Sequence, residues 1–127
     1  MDEQKMRKHL FAVCLLMLAA CSTQEIAGTA VINGRAADMY VTPYASGTFG
    51  LDGWELFING ESIGVFEFDG RATRGNSQHI QQFKSIQSRY GEFDAEQTIN
   101  LVLTGSTNTF RITLDGEFIG TVSGRLQ

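Results

Sequence analysis

Apolar and polar residues alternate along much of the chain. Phe110, Ile112 and Leu114 share one face of an extended segment, the residues between them share the other, and the same spacing recurs at 54–58. A period of two is what a half-buried β-strand requires. One buried face and one wet face are typical of antiparallel sheets, so the pattern predicts an antiparallel all-β domain.

Five Asn-Gly or Asp-Gly dipeptides interrupt the alternating segments. Such a dipeptide between apolar runs is a strong β-hairpin signal, because a type I′ turn needs positive φ at both central residues. Those at 33–34, 59–60 and 115–116 have the best strand-like flanks, and the other two are at 52–53 and 69–70. About eight short strands spaced in this way predict a small antiparallel β-sandwich or barrel built from hairpins. Its core should draw on Trp54, Phe110 and Phe118.

Residues 77–90 carry two competing patterns. Ile80, Phe83 and Tyr90 recur at the spacing of a short helix, whereas alternation over 86–90 fits a strand. The sequence leaves both possibilities open here. Two further segments are predicted to be loops: 71–78 and 91–97.

The first twenty residues differ from the rest of the chain. Lys5, Arg7 and Lys8 form a positive segment, and an uninterrupted apolar run of 11 residues follows from Leu10 to Ala20. A bilayer-spanning helix needs about 20 such residues. The shorter run matches the apolar region of a secretory signal. We therefore expect residues 1–20 to be a signal helix that is removed.

The end of this run carries a specific motif. Leu18-Ala19-Ala20-Cys21 resembles the lipobox of bacterial lipoproteins. The resemblance implies that Cys21 receives a diacylglyceryl group, that the chain is cut before it, and that the new amino terminus is acylated. Several acyl chains give stable anchoring to a membrane, at about 0.8 kcal/mol per buried methylene. Ser22 stands where an Asp would resemble the signal for inner-membrane retention. The resemblance thus implies the periplasmic side of the outer membrane in a Gram-negative cell.

The number of cysteines and the net charge exclude several kinds of site and partner. Cys14 leaves with the signal and Cys21 is lipidated on this interpretation, so no thiol remains for a disulfide, a zinc site or a nucleophile. From Ser22 onwards the chain has seven basic and twelve acidic residues, a net charge of −5. An acidic surface argues against nucleic acid and anionic lipid headgroups as partners. The predicted organisation is a lipidated tether at 21–26 and one β-domain at 27–127.

One predicted hairpin carries a second, local resemblance. Residues 112–121 run from an apolar strand through Asp115-Gly116 to Gly120-Thr121. This order is similar to the core of the PEGA-type surface-layer repeat, a small β-module of bacterial envelope proteins. Val122 stands where that family has Pro. The likeness covers this hairpin only and implies a hairpin rather than membership.

Few residues suggest catalysis or metal binding. His79 is the only histidine after the signal, and the serines and threonines fall in predicted turns and strands, so no hydrolytic triad is predicted. We expect His79 to face solvent. Glu92, Asp94 and Glu96 alternate and would place three carboxylates on one side of an extended segment. That arrangement suits a hard cation or paired acid–base groups, but a solvated loop explains it more simply. We predict no enzymatic activity, metal or cofactor.

Aromatic residues provide the candidate binding site. Tyr40, Tyr44, Phe49 and Trp54 bracket the Gly-rich segment 42–53. Aromatic side chains in such a loop offer a large contact area at low entropic cost, although they also suit the cap of a core. We predict an envelope protein that binds a protein partner as an accessory or assembly factor. The alternatives are binding of cell-wall glycan and inhibition of a hydrolase.

Overall fold

The computed structural model describes residues 26–47, 50–74, 78–102 and 105–126, and within these ranges it contains nine strands and no helix. The predicted signal helix and Cys21 lie outside the described residues. The strands are β1 (Ile26–Ile32), β2 (Arg35–Tyr44), β3 (Gly53–Ile58), β4 (Glu61–Arg74), β5 (Gln78–Phe83), β6 (Ile86–Ser88), β7 (Gly91–Val102), β8 (Gly105–Leu114) and β9 (Glu117–Leu126). The predicted all-β class is confirmed.

Nine strands form one sheet that closes on itself. Their order is β5-β4-β3-β2-β1-β9-β8-β7-β6, and every neighbouring pair is antiparallel. β7 is long enough to pair along one edge with both β6, at Gly91–Phe93, and β5, at Glu96–Asn100. The β5–β7 pairing joins the two ends of the sheet into an eight-stranded antiparallel barrel with β6 as an extra strand. Of the two architectures predicted, the protein adopts the barrel.

The three best-flanked turn dipeptides each form a two-residue hairpin. Asn33-Gly34, Asn59-Gly60 and Asp115-Gly116 have φ values of 52° and 75°, 50° and 79°, and 51° and 83°. Positive φ at both positions is the signature of the type I′ turn. These turns join β1 to β2, β3 to β4 and β8 to β9.

The other two dipeptides do not form hairpins. Gly53 begins β3, and Asp69-Gly70 lies inside β4, where the pairing register shifts between Phe68 and Ala72. The fourth tight connection, Arg89-Tyr90 between β6 and β7, contains no such dipeptide.

Two local predictions are wrong, and one of the alternatives left open is excluded. The helix alternative for 77–90 fails because β5 and β6 fill most of that segment and pair with β7. The loops expected at 71–78 and 91–97 are also largely strand, since β4 runs to Arg74 and β7 starts at Gly91. The outward residues of β7 in this segment, Glu92, Asp94 and Glu96, are acidic, and that polarity resembled a loop in the sequence.

The connections divide the barrel into two ends. The four tight turns that lie within the described residues are at one end, which we call the turn end. The opposite end, the loop end, carries the start of β1, the end of β9 and the connection between β2 and β3. Ile26, predicted to be the last residue of the tether, is the first residue of β1 and is fully buried. The barrel therefore begins one residue earlier than expected.

Aromatic rings occupy the middle of the interior. Trp54 packs edge-on against Phe110 with 5.0 Å between ring centroids, and Phe83 stacks on Phe110 at 5.9 Å. The core positions predicted for Trp54 and Phe110 are confirmed. The buried apolar side chains are Ile26, Ala30, Ala37, Met39, Val41, Trp54, Leu56, Ile58, Phe66, Phe83, Ile86, Phe93, Ala95, Phe110, Ile112, Ile119 and Val122.

Phe118 was also predicted to be in the core, and it is 50 % exposed. The β8–β9 register shifts next to Ile112, so Ile119 turns into the interior and Phe118 stays outside. There the guanidinium of Arg111 lies 4.6 Å from the ring centroid of Phe118. A single irregularity in the ladder thus exchanges the faces of two apolar residues.

Strand β3 can be tested at Gly53, where an added Cβ would lie 2.1 Å from the carbonyl oxygen of Phe66. We expect Gly53→Ala to lower the free energy of unfolding by at least about 2 kcal/mol, because backbone must move to admit the methyl group. Urea denaturation followed by Trp54 fluorescence measures it. In the matched control, Gly47→Ala, no atom lies within 4 Å of the new Cβ, so stability should be unchanged. Equal stability of the two variants would contradict the register of β3.

Candidate functional site

The structure describes three of the four aromatic residues proposed from the sequence, and they lie on two different faces of the sheet. Tyr40 and Tyr44 are half-buried on the outer face of β2, whereas Trp54 is 1 % exposed and faces the interior. Phe49 lies outside the described residues. Trp54 is directed inwards because it stands opposite buried Phe66 on β4, and directly opposite residues of antiparallel strands share a face.

Tyr40 has an aromatic partner that the sequence did not indicate. Its ring stacks on Phe57, directly opposite on β3, with 4.7 Å between centroids and 8° between planes. One face of each ring packs against the other ring, and the stacked pair links β2 to β3 on the outer wall of the barrel. Finding this pair requires the β2–β3 register, which has no local sequence signal.

The connection between β2 and β3 is held by Asp52. One of its carboxylate oxygens accepts hydrogen bonds from both the hydroxyl and the backbone N–H of Ser46, each at 2.6 Å. The Ser46 hydroxyl and, secondarily, its backbone N–H lower the pKa of Asp52 below the ordinary value, because both bonds favour the ionised carboxylate.

The three alternating carboxylates lie on the outer wall. Glu92, Asp94 and Glu96 are all exposed along one face of β7, as alternation predicted, but on a strand rather than a loop. Glu92 accepts a hydrogen bond from the side-chain amide of Gln87 at 2.5 Å. Among the described residues, no group of three or more His, Cys, Asp or Glu is arranged to hold a metal ion.

Part of this face borders a polar groove at the break between β5 and β6. Lys84, Asp94, Glu96 and Arg111 contribute charges of both signs to a space of about 360 Å³. The ammonium of Lys84 also lies 3.8 Å from a carboxylate oxygen of Glu67. Such a groove offers hydrogen-bond donors and acceptors to a polar ligand.

One catalytic-looking motif was overlooked in the sequence. Residues 60–64 read Gly-Glu-Ser-Ile-Gly, the spacing of a nucleophile elbow, which requires a strand followed by a helix. Here the motif lies in the β3–β4 hairpin, and the Ser62 hydroxyl donates to Glu55 at 2.5 Å. Ser62 is near the turn end, whereas His79 is the second residue of β5, near the loop end. The two residues therefore do not form a nucleophile–base pair.

His79 does not face solvent as expected. It is half-buried on β5, two residues before Gln81, and Gln81 lies directly opposite buried Gln97. His79 and Gln81 therefore share the inner face of the barrel. A strand at this position, rather than a loop or the start of a helix, produces the difference.

The turn end carries a more apolar groove of about 430 Å³. It lies where the last residues of β1 and β3, the first residues of β2 and the turn before β7 come together. The residues that line it are Ile32, Asn33, Arg35, Ala36, Ala37, Ile58, Asn59 and Tyr90. We call it the turn-end groove. A smaller adjoining groove of about 190 Å³ shares Ile32 and adds Leu114 and Ile119.

Tyr90 is the aromatic residue of the turn-end groove and is 37 % exposed. The guanidinium of Arg89 donates a 2.7 Å hydrogen bond to its hydroxyl and forms an ion pair with Glu61. The bond to Tyr90 and the charge of Glu61 raise the pKa of Arg89 above its ordinary value. These contacts hold Tyr90 in a defined orientation at the groove.

Sequence reasoning missed the turn-end groove. Ile32 and Ile58 each precede a recognised turn, so their place at strand ends was predictable. Their meeting with Tyr90 depends on the strand order and on β6, which the sequence left open.

Comparison of the chain with known protein families, characterised proteins and solved structures found no match. No helix within the described ranges is long and apolar enough to cross a membrane.

The Asp52 contact predicts a pH response of the β2–β3 connection. The carboxyl of Asp52 should titrate below 3.8, and Ser46→Ala should move its pKa upwards but not fully to 3.8, because the backbone donor remains. Since the folded pKa is lowered, the stabilising contribution is present above pH 3.8 and is lost as pH falls through the folded pKa. NMR titration of the Asp52 carboxyl carbon measures this. An unchanged pKa in Ser46→Ala would contradict it.

Proposed function

We propose that this protein is a lipid-anchored, non-enzymatic component of the bacterial envelope that binds a protein partner through the turn-end groove. The supporting observation is the apolar groove around Tyr90 at one end of the barrel. Cores of protein interfaces are enriched in aromatic residues and arginine. Arg35 and Tyr90 line the groove and provide both.

Strand β1 starts at the end of the barrel opposite the turn-end groove. Ile26 starts β1 at the loop end, five residues after Cys21. Five extended residues reach at most about 18 Å, so a lipidated Cys21 would hold the loop end near the membrane. The turn end would then be the part of the barrel that a partner in the periplasm meets first.

Tyr90 is suited to anchor such a partner. Its hydroxyl is already hydrogen-bonded to Arg89, and its ring packs edge-on towards Phe93 with 6.4 Å between centroids. A side chain ordered before binding loses less conformational entropy on association. Val31, 56 % exposed on the last part of β1, adds apolar area beside this end.

Crosslinking in cells tests the position of the partner. A photoreactive amino acid at Tyr90 should give one defined protein adduct, identified by mass spectrometry. The matched control is Leu101, which is 49 % exposed near the loop end, and it should give none. A hydrolase in the adduct would assign the inhibitor function, and any other envelope protein the accessory function. The same adducts from both positions would contradict the proposal.

The energetic role of Tyr90 can be measured once that partner is known. Tyr90→Ala should weaken the dissociation constant at least about 30-fold, the effect of losing a central interface residue worth about 2 kcal/mol. Leu101→Ala should leave the affinity unchanged. Circular dichroism of both variants establishes that the barrel is retained, and equal affinities for the partner would exclude Tyr90 as an anchor.

The lipid anchor itself is testable at Cys21. We expect Cys21→Ser to abolish acylation, detected by mass spectrometry of the mature amino terminus, and to shift the protein from the membrane to the soluble fraction. The physical reason is that the acyl chains supply the free energy of membrane binding. Unchanged membrane retention would contradict lipidation.

A second candidate function, binding of cell-wall glycan, is favoured by the polar groove between β5 and β6. Gln82, Glu96 and Arg111 present donors and acceptors in this groove, a combination suited to the hydroxyl groups of a sugar. Retention of the Cys21→Ser chain on purified peptidoglycan, lost in Glu96→Gln with Arg111→Gln, would support this function. If the Cys21→Ser chain is not retained on peptidoglycan, glycan binding is excluded as a function.

A further inference from the structure

The turn-end groove and the smaller groove beside it meet at the β1–β2 hairpin. Ile32 and Asn33 line both, so the two grooves form one continuous surface, which we call the hairpin surface. Its floor is apolar on three adjacent strands, with Ala37 on β2, Ile32 on β1 and Ile119 on β9. A partner that crosses the hairpin would therefore stay on an apolar floor.

The two grooves differ in charge. Among the described residues that line them, Arg35 is the charged residue of the turn-end groove and Glu117 that of the adjoining groove. Both side chains are exposed, and neither forms an ion pair or a hydrogen bond with another described residue. The nearby charge of Arg89 is already neutralised by Glu61. Arg35 and Glu117 thus leave one positive and one negative charge uncompensated beside the floor.

Strand pairing places these charges on either side of Ile32. Arg35 on β2 lies directly opposite Ile32 on β1, and β9, which begins at Glu117, pairs with the other edge of β1. Neighbouring strands lie about 4.8 Å apart, so the backbones of Arg35 and Glu117 are separated by about 10 Å. An extended chain that rises about 3.3 Å per residue covers that distance in roughly three residues.

The far wall of the hairpin surface is held in place by the β3–β4 turn. The side-chain oxygen of Asn59 accepts a hydrogen bond from the backbone N–H of Asp38 at 3.0 Å. The backbone N–H of Asn59 donates to the carbonyl oxygen of Asp38 at 2.8 Å. These bonds fasten the turn to β2, and Arg89 holds Tyr90 beside it. A surface ordered before binding loses less conformational entropy when a partner binds.

We propose that the hairpin surface binds an extended segment of a partner protein in which an acidic and a basic residue flank an apolar one, two to four positions apart. The inference rests on the proposed function and names the chemistry of the partner. The acidic side chain pairs with Arg35, the apolar one packs on Ile32, and the basic one pairs with Glu117. Complementary charges of this kind set the register and the choice of partner more than they raise affinity.

A second copy of this chain would also offer one charge of each sign. A two-fold contact would bring the arginine of one copy against the glutamate of the other, and it requires the two barrels to meet turn end to turn end. When Cys21 holds each loop end at one membrane, every turn end points away from that membrane. Two copies anchored in the same membrane then cannot meet in this way, so the occupant is a different protein.

Peptide selection tests the chemistry of the occupant. The probe is a phage-displayed library of random peptides fused to the coat protein at their carboxyl ends, so that only side chains supply carboxylates. The full chain, in detergent micelles, is immobilised through its carboxyl terminus, which follows β9 at the loop end. We expect the selected peptides to be enriched several-fold in an acidic and a basic residue on either side of an apolar one.

Charge reversal separates the two contacts. Arg35→Glu should replace the acidic residue of the selected motif with Lys or Arg, and Glu117→Lys should replace the basic residue with Asp or Glu. The matched control is Arg125→Glu, an exposed arginine of β9 near the loop end, which should select the same peptides as the unchanged chain. Selection of no charged motif, or of the same motif after both reversals, would overturn the inference.

Affinities measure the contact at Arg35. Replacing the acidic residue of a selected peptide by its amide should weaken binding to the unchanged chain about threefold, the effect of losing one exposed ion pair. The same replacement should leave binding to Arg35→Gln unchanged, because the cation is already absent. Equal weakening for both chains would contradict the pairing with Arg35.

The outcomes separate this inference from the proposed function. A protein adduct at Tyr90 without any acidic preference in the selection would overturn the inference and leave the proposed function standing. A motif that switches with Arg35→Glu, without an adduct at Tyr90, would support the inference and contradict the proposed function. A dimer of the chain in micelles, lost in Arg35→Glu and restored by Arg35→Glu with Glu117→Lys, would assign the surface to a second copy and overturn the inference.

Discussion

The pairing of β5 with β7 is the contact on which the rest of the structure depends. It runs from Gln78 opposite Asn100 to Gln82 opposite Glu96. It joins the ends of a sheet whose edges would otherwise expose unpaired backbone N–H and C=O groups. It also creates an interior, so that the inward side of every strand becomes core. The contact of Trp54 with Phe110 and the burial of Gln97 both require that closure.

Closure also gives the barrel two chemically different ends. Short type I′ turns at the turn end bring strand-terminal isoleucines together with Tyr90, and the result is an apolar groove. The eight-residue connection between β2 and β3 lies at the loop end, where inward positions carry amides. The surface proposed for a protein partner at the turn end is therefore made of other residues than the buried amides.

The errors of sequence reasoning have a common physical origin. Residues 91–97 are predicted to be a loop and have acidic outward side chains, yet the inward ones, Phe93 and Ala95, complete the core. Phe118 is predicted to be in the core, and the bulge beside Ile112 turns it outwards. In each case the face of a residue is set by its partner on the next strand. Local composition does not contain that information.

The sequence by itself determined the features that depend on neighbouring residues. Asn-Gly and Asp-Gly accept positive φ at both positions, so three hairpins could be located, and alternation established the all-β class and the core positions of Trp54 and Phe110. Only the tertiary structure decided that the sheet closes, that His79 faces inwards, and that Tyr90 meets Ile32 and Ile58. Those outcomes depend on backbone pairing between strands that are distant in the chain. The same cross-strand register set the positions of Gln97 and Asn108, the two polar side chains buried in the interior.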